Sequence, residues 1–151
     1  MHGNKIFFLV MVLTATAAVG GCGKKDPNLP DLVPVTGTVK LDGQPLSEAV
    51  VFFSPVGETR GTQAFGKTDS RGRYSLSSRH MGEGAPVGEY RVTIGKAVAP
   101  DGSTAGGKNF DPMTTPTRQI LPAKYSHPSS TILKATVREA GDDIDFELTS
   151  K

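Results

Sequence analysis

From residue 32 onward the chain alternates. Val33, Val35, Val39 and Leu41 fall on one face at a period of two, with Thr36, Thr38 and Lys40 on the other. That is the pattern of a strand with one buried side. Asp42-Gly43 follows and predicts a tight hairpin, because such turns need the positive φ that glycine accepts. Residues 49–53 (Ala-Val-Val-Phe-Phe) are apolar on both faces and predict a central strand, ended by Ser54-Pro55; residues 62–67 read as a weaker strand at an edge. In the run from Thr68 to Leu76, Asp69 is placed to hydrogen-bond the amides of a turn and Gly72 to supply its unusual dihedral. Tyr74 and Leu76 then face one side. The clearest alternation comes next, with Tyr90, Val92 and Ile94 inward and Arg91 and Thr93 outward. Residues 97–130, rich in Gly, Pro, Thr and Ser, break the rhythm and are long for a connection inside a compact domain. Two strands close the chain: Leu133, Ala135 and Val137 form one inward set, Ile144, Phe146 and Leu148 the other, joined by a turn over residues 139–143. The total is about seven strands, enough for two packed sheets, with helix at most a minor feature.

The N-terminus follows a different rule. A short polar start with Lys5 leads into an apolar run from Ile6 to Val19 and then small residues. This is the layout of a secretory signal, and the run is short for a membrane span of about 20 residues. Val19-Gly20-Gly21-Cys22 resembles the lipobox of bacterial lipoproteins, in which a cysteine after small residues takes a thioether-linked diacylglycerol; Val stands where Leu is commoner. The expected organisation is therefore a cleaved signal peptide over residues 1–21 and a lipidated tether over 22–31 with Cys22 acylated, palmitate among its expected chains. One β-sandwich domain over 32–151 follows. Two or three acyl chains hold firmly, at about 0.8 kcal/mol per buried methylene. Gly23 after the cysteine lacks the Asp that retains some lipoproteins in an inner membrane, which favours the outer membrane, facing periplasm or cell surface.

Composition narrows the field of partners. The one cysteine of the chain is Cys22, so the mature protein has no disulfide to form. Of 17 Lys and Arg, Lys5 lies in the signal segment, which leaves 16 against 15 Asp and Glu. So even a balance gives no concentrated basic face for nucleic acid. With 18 Gly, 11 Pro and no Trp, the chain suits a turn-rich β protein.

The order of motifs adds a resemblance. Val35-Thr36-Gly37-Thr38-Val39, Asp42-Gly43-Gln44-Pro45-Leu46, residues 49–53, Thr68-Asp69 with Gly72-Arg73-Tyr74, and Gly88-Glu89-Tyr90-Arg91-Val92 resemble the carboxypeptidase regulatory-like, or transthyretin-like, β-sandwich. Leu121-Pro122-Ala123-Lys124-Tyr125 resembles an element that lipoproteins of the planctomycete type carry before the last hairpin. The resemblance implies a seven-stranded Greek-key sandwich (transthyretin or prealbumin-like) in the cell envelope, most often without assigned activity. In metallocarboxypeptidases the similar module is an appendage to the zinc domain. The hydroxyisourate hydrolases of related fold end in a Tyr-Arg-Gly-Ser tail, whereas this chain ends Phe-Glu-Leu-Thr-Ser-Lys.

The chemistry-bearing residues form no familiar catalytic pattern. Gly102 to Lys108 nearly spells a phosphate-binding loop, but Asn109 stands where Ser or Thr would hold magnesium and Pro112 where the helix would start. Two histidines, His80 and His127, remain in the mature chain, fewer than the ligands zinc prefers. No Gly-x-Ser-x-Gly elbow accompanies the serines. The expectation is a non-enzymatic module without cofactor or metal, tethered to a membrane through Cys22. It would make envelope contacts through the loop over residues 97–130, with Phe110, Lys124, Tyr125 and His127 as the binding side chains. Carbohydrate or peptidoglycan recognition, which an exposed aromatic platform would support, and a cryptic hydrolase using His80 or His127 are the competing readings.

Overall fold

The computed structural model describes residues 28–104 and 114–151. In chain order the strands are β1 (Leu32–Val33), β2 (Val35–Leu41), β3 (Gln44–Pro45), β4 (Val50–Pro55), β5 (Ala64–Lys67), β6 (Arg73–Ser75), β7 (Ser77–Ser78) and β8 (Gly82–Glu83). They continue with β9 (Ala85–Pro86), β10 (Gly88–Gly95), β11 (Ala97–Val98) and β12 (Arg118–Gln119). One helical turn, α1 (Ala123–Ser126), precedes β13 (Lys134–Val137), β14 (Asp142–Asp143) and β15 (Phe146–Leu148). The described residues are all-β apart from that turn.

The first sheet runs β13-β10-β4-β5-β7-β8, antiparallel throughout. The second is built around β2. On one side β14 and β15 pair with it in parallel, and on the other β6 and β3 pair antiparallel. Two short ribbons, β1-β9 and β11-β12, flank them.

Alternation made one face of each sheet apolar, and those faces meet. Val35 and Val39 of β2, Val51 and Phe53 of β4, and Val92 and Ile94 of β10 are fully buried. The Phe53 ring lies 5.6 Å from that of Tyr90 in its own sheet. Across the interface it lies 6.4 Å from Tyr74 and 6.1 Å from Phe146, in tilted and edge-on contacts. Aromatic pairs of this geometry add about 0.5–1.5 kcal/mol each beyond the area they bury. Gly37 breaks the valine row of β2 because a Cβ there would collide with the Ile144 carbonyl and stand 2.9 Å from the Tyr74 ring. The strand needs that gap, since the Tyr74 hydroxyl passes through it to donate 2.6 Å to the Ile144 carbonyl.

Local expectations and observed turns agree at Asp42 (φ 50°) and Gly43 (φ 81°), which close the β2–β3 hairpin. Asp69 also behaves as read, its Oδ1 accepting from the amides of Arg71 at 2.8 Å and Arg73 at 2.9 Å. Three expectations change. β5 is interior, between β4 and β7, not an edge. β4 buries one face only: Phe52 stays 36% exposed while Phe53 is fully buried. The last two strands form no hairpin, for β13 joins the first sheet and β14 and β15 cross to the second. The turn expected over residues 139–143 therefore contains β14 itself.

Candidate functional site

The sandwich has two distinguishable ends. The chain enters beside Leu32, where β1 pairs with β9 and where β2 and β10 begin. The opposite end gathers the finish of β2, β10 and β15 together with residues 96–104, residues 118–127 and the C-terminus. Gln119 organises this far end. Its Oε1 accepts from the amides of Lys96 at 2.8 Å, Ile120 at 3.1 Å and Leu121 at 3.2 Å. One side chain thereby satisfies a stretch that has few ladder bonds of its own.

Three of the expected binding residues sit together here, on or next to α1. Tyr125 is buried and its ring belongs to the core, as does Leu121. The Tyr125 hydroxyl lies 3.2 Å from Thr149 Oγ1 and accepts from the Thr149 amide at 3.3 Å. These bonds, the side-chain one first, hold the phenol below the ordinary tyrosine range despite some desolvation. Lys124 Nζ lies 5.0 Å over the Tyr125 ring and donates to the Lys151 carbonyl and, at 3.4 Å, to Thr149 Oγ1. His127 is exposed, and its Nδ1 accepts from the Ser129 amide at 3.3 Å. Tyr125 thus anchors the segment, while Lys124 and His127 present chemistry at its surface. Phe110 and Cys22 lie outside the described residues, as do residues 105–108 of the phosphate-loop-like run. The described part of that run is a tight turn in which Asp101 Oδ1 accepts from Ser103 N at 2.9 Å and Oγ at 2.6 Å.

Several other ionisable groups work for the fold. Asp145 Oδ1 accepts from the Thr38 amide at 2.6 Å, and Asp142 Oδ2 from the Arg138 amide at 2.7 Å. Asp42 Oδ1 accepts from the Ser150 amide at 3.0 Å. Asp69 and Asp42 are held below the usual carboxylate range by these backbone donors, Arg73 foremost for Asp69 and Ser150 for Asp42. Glu48 is lowered chiefly by its hydrogen bond with Lys67. Burial pushes Tyr90 up to about 12 and Tyr74 further still. His80 sits at φ 64° on the turn joining β7 to β8, and His127 follows α1, which packs on β10. The two histidines therefore belong to separate parts of the first sheet, His80 at its β7–β8 edge and His127 beside α1 over β10. Among the described residues no group of three or more His, Cys, Asp or Glu side chains is arranged to hold a metal ion, and no helix is long and apolar enough to cross a membrane.

Sequence reasoning passed over one surface. Phe52 and Phe65 stand side by side on the outer face of the first sheet, 36% and 40% exposed, with ring centroids 6.5 Å apart. The signal was present in the strict alternation of β4, where burying Val51 and Phe53 forces Phe52 outward. Set against protein-family models, curated proteins and solved structures, the chain matches none of them.

Proposed function

We propose that this chain is a lipid-anchored module of the cell envelope, held by acylated Cys22 and acting through non-catalytic contacts of its β-sandwich. The observation that carries the reading is the succession of an apolar leader, Val19-Gly20-Gly21-Cys22 and a polar, proline-bearing spacer just before the first strand. In this reading the two-sheet domain is a seven-stranded Greek-key sandwich of the carboxypeptidase regulatory-like kind, its short strand pieces counted as interrupted longer strands. The anchor sits in the outer membrane. The binding end is the far end, where Lys124 and His127 are accessible and residues 105–113 connect Thr104 to Thr114. Support for a structural rather than chemical use of the acids comes from Asp42, Asp69, Asp142 and Asp145, whose carboxylates accept from backbone amides of the fold.

The test is crosslinking in cells followed by pull-down of the lipidated protein. It is run beside two variants: residues 105–113 replaced by a Gly/Ser linker, and Lys124→Ala with His127→Ala. Leu121 and Tyr125 stay untouched because they pack in the core. One envelope protein recovered with the native chain and lost with either variant is the expected result. Recovery of glycan, or of the same partner from all three, would remove the far end as the protein-binding surface.

A further inference from the structure

The outer face of the first sheet carries two neighbouring rows of unlike character. β10 pairs with β4 so that Thr93 faces Phe52 and Arg91 faces Ser54; β4 pairs with β5 so that Phe52 faces Phe65. β13 pairs with β10 so that Lys134 faces Arg91, and the bond from the Val92 amide to the Leu133 carbonyl continues that register to Ile132 beside Thr93. One row therefore reads Ile132, Thr93, Phe52, Phe65, in which Thr93 is covered (9% exposed) and the other three are open to solvent. Ile132 is 65% exposed, so three of the six large apolar residues exposed among the described residues share this row. Across three strand spacings it measures about 14 Å. The next row, nearer the chain entry, reads Lys134, Arg91, Ser54, Gln63. Arg79 stands at its end, lining one hollow with Phe52, Gln63 and Phe65.

The cationic row runs against ordinary sheet design. Like charges directly opposite on adjacent strands destabilise a pair, yet Arg91 and Lys134 are such a pair. Arg79, Arg91 and Lys134 form no ion pair among the described residues, whereas Lys67 on the same face is matched by Glu48. Of the acids on this face, Glu83 lies on the edge strand β8, and Glu89, one row closer to the entry, lines one hollow with Arg91 and Lys134 without forming an ion pair with either. Exposed aromatics bordered by cations outnumbering the acids beside them suit an interface between acyl chains and anionic headgroups.

The chain entry lies on this side of the molecule. A Cβ on Gly61, four residues before Phe65, would stand 3.3 Å from Pro30, and one on Gly82 would stand 3.8 Å from Leu32. From Gly61 to the phenylalanine pair is about 13 Å along the strand. The eight residue steps from Cys22 to Pro30 span at most about 29 Å when extended. An anchor at Cys22 can therefore reach the level of the aromatic row.

We infer that the outer face of the first sheet lies on the bilayer, with Phe52, Phe65 and Ile132 entering the interface and Lys134, Arg91 and Arg79 meeting anionic lipid headgroups. The inference deepens the anchored reading of Cys22, but its own evidence is the face. The chain has no Trp, so Phe65→Trp makes a single reporter at an already exposed position. The full lipidated chain is mixed with phosphatidylglycerol vesicles carrying brominated acyl chains, and with phosphatidylcholine vesicles for comparison. Blue-shifted, quenched emission on the anionic vesicles is expected. Arg91→Ala with Lys134→Ala should lower the ratio of quenched to unquenched chains on those vesicles about thirtyfold, at about 1 kcal/mol per charge removed.

Co-flotation in high salt reads the anchor separately. Flotation without quenching overturns the face and leaves the anchor standing. Quenching without salt-resistant flotation supports the face and removes the anchor. Emission that stays water-like at every lipid concentration overturns the proposal. So does emission that shifts only with peptidoglycan fragments, or with self-association of the chain, and those results would assign the face to glycan or to a second copy.

Discussion

The two sheets share one core but treat their outer faces in opposite ways. On the second sheet Thr36 Oγ1 donates to Asp143 at 3.2 Å, the Thr38 amide donates to Asp145, and Lys40, Arg73, Ser75 and Glu147 complete a polar surface. Its side chains bond strand to strand. On the first sheet the corresponding positions hold the exposed pair Phe52 and Phe65 and the facing like charges Arg91 and Lys134, the latter working against the strands beneath them. A fold selected for stability alone would not leave one face so. The difference separates a face that maintains the sandwich from one free to meet something outside it. Substitutions on the second sheet should therefore register as lost stability, and those on the first as altered surface binding.

The largest effect is expected at Gly37, where β2 passes under the Ile144 carbonyl. Gly37→Ala must push β2 away from the segment between β14 and β15, and overlap with backbone has no cheap relief. The expected cost exceeds about 4 kcal/mol, enough to unfold much of the protein in a urea titration. A loss under 1 kcal/mol would mean that the parallel side of the second sheet is much looser than its hydrogen bonds indicate.

Alkaline pH strains both sheets at once through their buried tyrosines. The ordinary phenol value is 10.0, and burial raises Tyr90 to about 12 and Tyr74 beyond that. The neutral phenols are therefore favoured in the folded state. Their contribution is complete below pH 10, fades as unfolded tyrosines ionise above it, and for Tyr90 is gone by about pH 12. The denaturation midpoint should fall steadily between those limits. Tyr74→Phe removes the second sheet's share and leaves the Ile144 carbonyl without its donor, at about 1–3 kcal/mol at neutral pH. Its alkaline slope should be shallower than that of the parent chain. An unchanged slope would place the titrating group elsewhere.

Where the sequence could be read, it was read through period and turn chemistry. Tyr74, Tyr90, Val92 and Ile94 point inward as alternation requires, and Asp42-Gly43 and Asp69 make the turns their residue types demand. Alternation names a face but not a partner, which is why β13 and β15 looked like one hairpin. Their true neighbours, β10 and β2, are more than forty residues away, and pairing over such distances is settled by core packing between sheets. The surface residues were least legible. Tyr125 sits in a Gly- and Pro-rich stretch that looked free for contact, yet its ring is in the core because one helical turn folds it back onto β10. Phe52 was hidden in an apolar run whose outward half had no covering layer to bury it.

The smallest predicted effect divides the two faces most cleanly. Lys134→Glu places a carboxylate directly opposite Arg91 on an exposed cross-strand pair. Replacing a like-charge pair with an opposite-charge one should stabilise the sheet by about 0.2–1 kcal/mol, visible as a small rise in the urea midpoint with no change in slope. The same substitution takes a cation from the row that borders Phe52 and Phe65 and adds an anion. Association with anionic vesicles should weaken while the fold tightens. Stability and binding moving in opposite directions is the signature of a face kept for contact. If both fall together, Lys134 supports the sheet in the way that Asp145 supports its neighbour, and the distinction between the two faces disappears.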